Sequence, residues 1–123
     1  GSNEPAARLC GLRVDGQKVL VYMLAGLFFG AAAVMEFSTL GNGDPSTAIG
    51  KELDIIAAVV IGGGSLSGGK GSVLGSLVGA YIISLLRNGC VLYDIPNPVQ
   101  EIVTGVIIVA AVTIDQLLLR RRS

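Results

Sequence analysis

The longest uncharged apolar run, 17 residues from Val19 to Met35, limits what this chain can become more than any other feature. As a helix it rises about 26 Å at 1.5 Å per residue, slightly less than the ~30 Å hydrocarbon core of a bilayer. It is therefore either a membrane span lengthened by its flanks or a helix buried in a large core. Three further apolar stretches follow: Ile55 to Ile61, Val73 to Leu86, and Ile102 to Ile114 continued by Leu117 to Leu119. None of them reaches the 18 uncharged residues that settle a span by hydropathy alone.

Composition shifts the balance toward lipid. Hydrophobic residues make up 51% and charged ones 15%, with 18 glycines and no tryptophan, a mixture suited to close packing of helices in a membrane. Formal net charge is zero and histidine is absent, so no nucleic-acid partner is expected, no metal site and no cofactor. Cys10 and Cys90 have no CxxC spacing and read as packing residues. The opening Gly1-Ser2 resembles a tag remnant, and the chain reads as an excised piece.

Residues from Ser2 to Gly11 have the marks of a short helix. Asn3 or Ser2 can cap it, Pro5 fits its first turn, Glu4 and Arg8 pair at i,i+4, and Gly11 can close it. Gly41-Asn42-Gly43-Asp44-Pro45 and Asp94-Ile95-Pro96-Asn97-Pro98 are turn clusters between apolar helices, and Arg87 and Asn88 mark the far end of the helix that starts at Val73. The expected fold is all-α: about four crossings, Val19–Leu40, Asp54–Gly64, Val73–Leu92 and Glu101–Leu119, the second short or broken. A cytoplasmic segment, residues 3–18, precedes the membrane region, residues 19–119, and a basic tail, residues 120–123, follows it. This topology puts Arg8, Arg13, Lys18, Lys70 and Arg120 to Arg122 on one side against Lys51 and Arg87 on or near the other, as the positive-inside bias favours.

The glycine-rich stretch from Gly62 to Gly71 has two readings. Gly64-Ser65-Leu66-Ser67-Gly68-Gly69-Lys70 matches the G-x-x-x-x-G-K phosphate loop, but Gly71 stands where the magnesium-holding Ser or Thr belongs. In a membrane protein the same glycines, Gly62, Gly63, Gly68 and Gly69 with Ser65, permit either a broken helix lining a cavity or an ordinary turn between spans. Gly26 and Gly30, and the series Gly71, Gly75 and Gly79, are small-xxx-small faces for helix packing. Glu36, Arg87 and Asp115 are ionisable groups at or near helix ends. Asp115 reads as interfacial, whereas Glu36 can stay within the bundle.

Two stretches together resemble a known family. Asn3-Glu4-Pro5-Ala6-Ala7-Arg8-Leu9-Cys10-Gly11 is similar to the cytoplasmic loop of ribose-type and related simple-sugar ABC permeases, in the branched-chain amino acid/sugar permease family. The run Glu52-Leu53-Asp54-Ile55-Ile56-Ala57-Ala58-Val59-Val60-Ile61-Gly62-Gly63, continuing to Ser72, looks like that family's signature. The resemblance corresponds to the C-terminal third of a permease. It implies a multi-pass subunit of the bacterial inner membrane that is not an enzyme. It also implies a second permease subunit, cytoplasmic ATPase subunits and a periplasmic sugar-binding protein as partners, besides membrane lipid. On this reading Asn3, Glu4, Ala7, Arg8 and Gly11 couple to the ATPase, while Glu36, Asp54, Gly62, Gly63, Ser65, Gly68 and Gly69 belong to the translocation path or broken helix. A soluble nucleotide-binding module using the Gly64 to Lys70 loop, and a small self-associating helical membrane protein, stand as the alternatives.

Overall fold

The computed structural model describes residues 3–46 and 48–121. Ser2, the alternative cap of the first helix, and Arg122 of the tail lie outside them. Five helices follow in order: α1 (Glu4–Leu9), α2 (Val14–Leu40), α3 (Lys51–Ile61), α4 (Val73–Leu92) and α5 (Asn97–Arg120). No strand occurs among the described residues. The chain divides into two compact units, Asn3–Thr47 and Ala48–Ser123.

In the first unit, Asn3 caps α1 by accepting the Ala6 N–H at its side-chain oxygen, 3.2 Å away, and Pro5 sits where a missing N–H costs nothing. Gly11 takes a φ of +81°, which lets the chain turn out of α1 and into α2. Helix α2 starts at Val14, ahead of the uncharged run, because Asp15 near its N-terminus and the long side chains of Gln17 and Lys18 are compatible with helix. It includes Phe37 to Leu40 and stops at Gly41, whose left-handed backbone aims its N–H at the Phe37 carbonyl, 2.9 Å away. At 27 residues it is about 40 Å long, enough to cross a bilayer.

The second unit is a three-helix assembly whose shortest member lies deepest. Asp54 meets Arg87, the Ala58 carbonyl faces Gly79, and the Gly62 carbonyl faces Gly75, so α3 and α4 run antiparallel. Gly50 lies beside Glu101, Ile61 and Ile108 pack on the same core cluster, and Ser65 reaches Asp115; α3 and α5 therefore run the same way. That cluster is built from Ala57, Ala58 and Ile83.

Several helix limits differ from the expected crossings: α2 starts at Val14 rather than Val19, and α3 runs Lys51–Ile61 rather than Asp54–Gly64. Helix α4 runs past Arg87 and Asn88 to Leu92, the far end of the expected crossing, since one charged side chain paired with Asp54 is no helix stop. Helix α5 already begins at Asn97, with Pro98 in its first turn where proline is tolerated. The connection between them shrinks to residues 93–96.

Helices α2, α4 and α5 are long and apolar enough to span a membrane, and their most apolar windows are only 0%, 11% and 6% buried within the chain. Phe28, Phe29, Leu77, Tyr81, Val106 and Val109 are each more than half exposed. Apolar surface on this scale is not what a water-soluble monomer shows. It is what helices facing lipid or further helices show, and the fold is an all-α, polytopic membrane segment. Helix α3, 11 residues or about 16 Å, is too short to span alone and is the short element of the bundle.

Candidate functional site

The turn between α3 and α4 is built by glycine at each step. The Gly62 N–H bonds to the Ala58 carbonyl at 3.0 Å, then Gly63 turns left-handed with φ +88° and the Gly64 N–H reaches back to the Val59 carbonyl at 2.9 Å. Gly68 and Gly69 also have positive φ. The Ser65 N–H closes the loop on the Lys70 carbonyl at 3.0 Å. Ser72 then caps α4, its hydroxyl accepting the Gly75 N–H. The segment before this loop is helix, not the strand that precedes a phosphate loop, so the structure removes the main support for the nucleotide-site reading.

Beyond the loop the two backbones touch. A Cβ added at Gly75 would collide with the Gly62 carbonyl oxygen, and one at Gly79 with the Ala58 carbonyl oxygen. Side chains larger than hydrogen would push α3 off α4, which is the physical use of a small-residue face. Gly71 precedes α4 and lies in the loop, where its open side meets the Gly64 Cα at 3.8 Å. Gly26 and Gly30 have no neighbour within 4 Å on their open sides.

Two polar links hold this hairpin, one between its arms and one to α5. Arg87 donates from Nη2 to Asp54 Oδ2 at 2.7 Å, with the Asp54 side chain 14% and the Arg87 side chain 38% exposed. Both line a cavity of about 290 Å³ together with Lys51, Ser84 and the apolar Ile55, Ala58, Ala80 and Ile83. At the other end of α3, the Ser65 hydroxyl donates to Asp115 Oδ2 at 3.1 Å and so ties the glycine loop to α5. The sequence reading separated these residues: it placed Arg87 as a helix-end charge and Asp115 as interfacial. The usable signal was charge economy, because ionisable groups of opposite sign on neighbouring apolar helices need each other.

The first unit carries the other set of candidate residues. Arg8 bridges Glu4 at 3.1 Å and Asp15 at 2.8 Å, and Lys18 bonds to Glu4 at 3.0 Å. Four side chains thus pin α1 to the start of α2. Lys18 first, then Arg8, hold the Glu4 carboxyl below its usual range, while Glu4 and Asp15 raise the Arg8 guanidinium further. Asn3 and Ala7 supply backbone carbonyls to this turn: the Ala7 N–H bonds to Asn3 and the Leu12 N–H bonds to Ala7, each at 3.2 Å. Glu36 sits exposed near the C-terminal end of α2.

The family of the branched-chain amino acid transport system permease component matches residues 1–112. The chain belongs to this permease family. The permease segment is 45% identical to the probable ABC transporter permease protein YphD of Escherichia coli K12 over 123 residues, all of the chain and 37% of that protein. It is 45% identical to the ribose import permease RbsC of the same strain over 115 residues, 94% of the chain and 36% of RbsC. It is 46% identical to the xylose transport permease XylH of that strain over 121 residues, 98% of the chain and 31% of XylH. The segment thus spans about a third of the length of these relatives. No solved structure matches it.

Proposed function

We propose that the chain is the C-terminal membrane segment of an inner-membrane permease subunit that carries ribose or a related simple sugar in an ATP-driven importer. The observation that carries this reading is identity of about 45% with a ribose and a xylose permease along 94% or more of the chain, including the glycine-built α3–α4 hairpin. The segment offers a path rather than a reaction, and ATP hydrolysis falls to separate cytoplasmic subunits. A second permease subunit completes the path, and a periplasmic binding protein delivers the sugar.

Within this scheme Asn3, Glu4, Ala7, Arg8 and Gly11 form the coupling segment toward the ATPase. Asp54, Gly62, Gly63, Ser65, Gly68 and Gly69 belong to the wall of the path, with Glu36 contributed by α2. Gly26 and Gly30 offer a small-residue face to another helix of the full-length parent. Alternating access of this kind uses elements that shift as units, for which short, glycine-hinged α3 is suited.

The test is ATP-dependent accumulation of labelled ribose and xylose in vesicles containing the full-length parent with its ATPase and binding protein. Accumulation of either sugar above an ATP-free control is expected. Absence of uptake from a correctly assembled complex sinks the reading, and nucleotide binding by the isolated chain revives the phosphate-loop alternative.

A further inference from the structure

The Asp54–Arg87 pair holds hydrogen-bonding capacity that the protein itself does not use. Asp54 Oδ2 accepts from Arg87 Nη2, yet Asp54 Oδ1 and Arg87 Nε are both buried with no partner. A buried acceptor and a buried donor left unpaired side by side are costly and uncommon in native structures. The two residues line the same 290 Å³ cavity, next to the Ser84 hydroxyl and over an apolar floor. That volume lies at the small end of small-molecule sites, roughly 300 Å³.

We propose that this cavity is a binding site for a neutral polyhydroxylated molecule, with Asp54 and Arg87 reading a pair of its neighbouring hydroxyls. The inference rests on the transport reading above and names the residues that contact the cargo. Lys51 also lines the cavity and has an interaction of its own, and Asp54 is paired with Arg87, so a cation or an anion entering the cavity loses hydration without gaining a free counter-charge. A hydroxyl both donates and accepts: one can donate to Asp54 Oδ1 while its neighbour accepts from Arg87 Nε. The C–H face of the same molecule suits Ile55, Ala58, Ala80 and Ile83. As the side chains stand, neither orphan atom is open to solvent. The ligand therefore gains these bonds by turning the Asp54 and Arg87 side chains, which also loosens the link between α3 and α4.

The experiment measures saturation-transfer NMR of ribose and of 2-deoxyribose on the full-length parent subunit in lipid nanodiscs, without its binding protein. The unmodified subunit is expected to bind ribose more strongly than the deoxy sugar; no transfer to ribose overturns the proposal. Arg87→Lys keeps the charge and removes the Nε donor. It should weaken ribose binding about tenfold, the effect of losing one hydrogen bond to a charged group, with the subunit still present in the membrane at its usual level. Unchanged ribose affinity in both Arg87→Lys and Asp54→Asn makes the pair purely structural and overturns the site. Should the single variants fail to assemble, the exchanged pair Asp54→Arg with Arg87→Asp restores the charges but misplaces donor and acceptor. Assembly without ribose binding then supports the site, and assembly with normal binding refutes it. Uptake by the unmodified complex is measured separately, so a failure of the transport reading is distinguished from a failure of this site.

Discussion

The two units of this chain are held by opposite means. The second unit locks α3 on α4 through backbone contact at Gly62, Gly75 and Gly79, around a core of Ala57, Ala58 and Ile83. Among the described residues the first has no buried residue in either helix, and exposed charges link its helices, Arg8 to Asp15 and Lys18 to Glu4. Close packing is insensitive to salt and pH but intolerant of volume. Exposed ion pairs tolerate any volume but yield to screening.

The largest effect should come from adding volume where the backbones meet. Gly79→Leu, and Gly75→Leu beside it, must move the helix backbone itself and are expected to cost more than ~3 kcal/mol, beyond ordinary overpacking. The membrane level of the full-length parent should collapse, whereas Gly43→Ala in the loop after α2 should leave it unchanged. Normal assembly of Gly79→Leu would mean that the hairpin is not what holds this unit.

Removing one partner of the Asp54–Arg87 pair should rank second. Loss of either member of a fully buried pair costs about 3–5 kcal/mol; Arg87 is 38% exposed, so about 2 kcal/mol is expected for Asp54→Ala. Thermal unfolding of the detergent-solubilised parent measures it, and no shift would place the pair outside the packing of α3 on α4. Ser65→Ala removes a single link to Asp115 and should cost about 1 kcal/mol. Its clearer readout is faster amide exchange confined to residues 62–72, and unaltered exchange there would show that the loop holds itself.

The smallest effect on folding should be found in the first unit. Arg8→Glu sets a third carboxylate beside Glu4 and Asp15, so α1 should loosen from α2 while the membrane level stays normal. If α1 is the coupling segment, sugar-stimulated ATP hydrolysis and uptake should fall much further than abundance. Normal coupling would leave α1 a plain solvated helix. Acid gives the same answer without a substitution. Glu4 has its carboxyl pKa lowered from 4.5 in the folded state, so the stability it contributes is present above 4.5 and is lost as pH falls through the lower folded value. Amide exchange in α1 should therefore accelerate below that range.

Much of the local structure was legible in the residues. The Asn3 cap, the Glu4–Arg8 pair, the left-handed Gly11 and the turn at Gly41 each depend on atoms a few positions apart, and each occurs where the pattern places it. Gly75 and Gly79 could be read as a small face, but not what that face would meet. The span of α4 to Leu92 was legible, but not that Arg87 within it pairs with Asp54, 33 positions away. The bond from Ser65 to Asp115, 50 positions apart, was not legible either.

By itself, then, the sequence determined that the chain is helical, which stretches are apolar, where α1 is capped and α2 stops, and which permease family the chain resembles. Tertiary structure alone decided that short α3 is the buried element, that it runs against α4 and along α5, and that Asp54 with Arg87 shares a cavity. Hydropathy, caps and turns are properties of neighbouring residues and are written in order along the chain. Which glycine meets which carbonyl, and which charge neutralises which, depends on how close two backbones come, and that distance is set only when the helices pack.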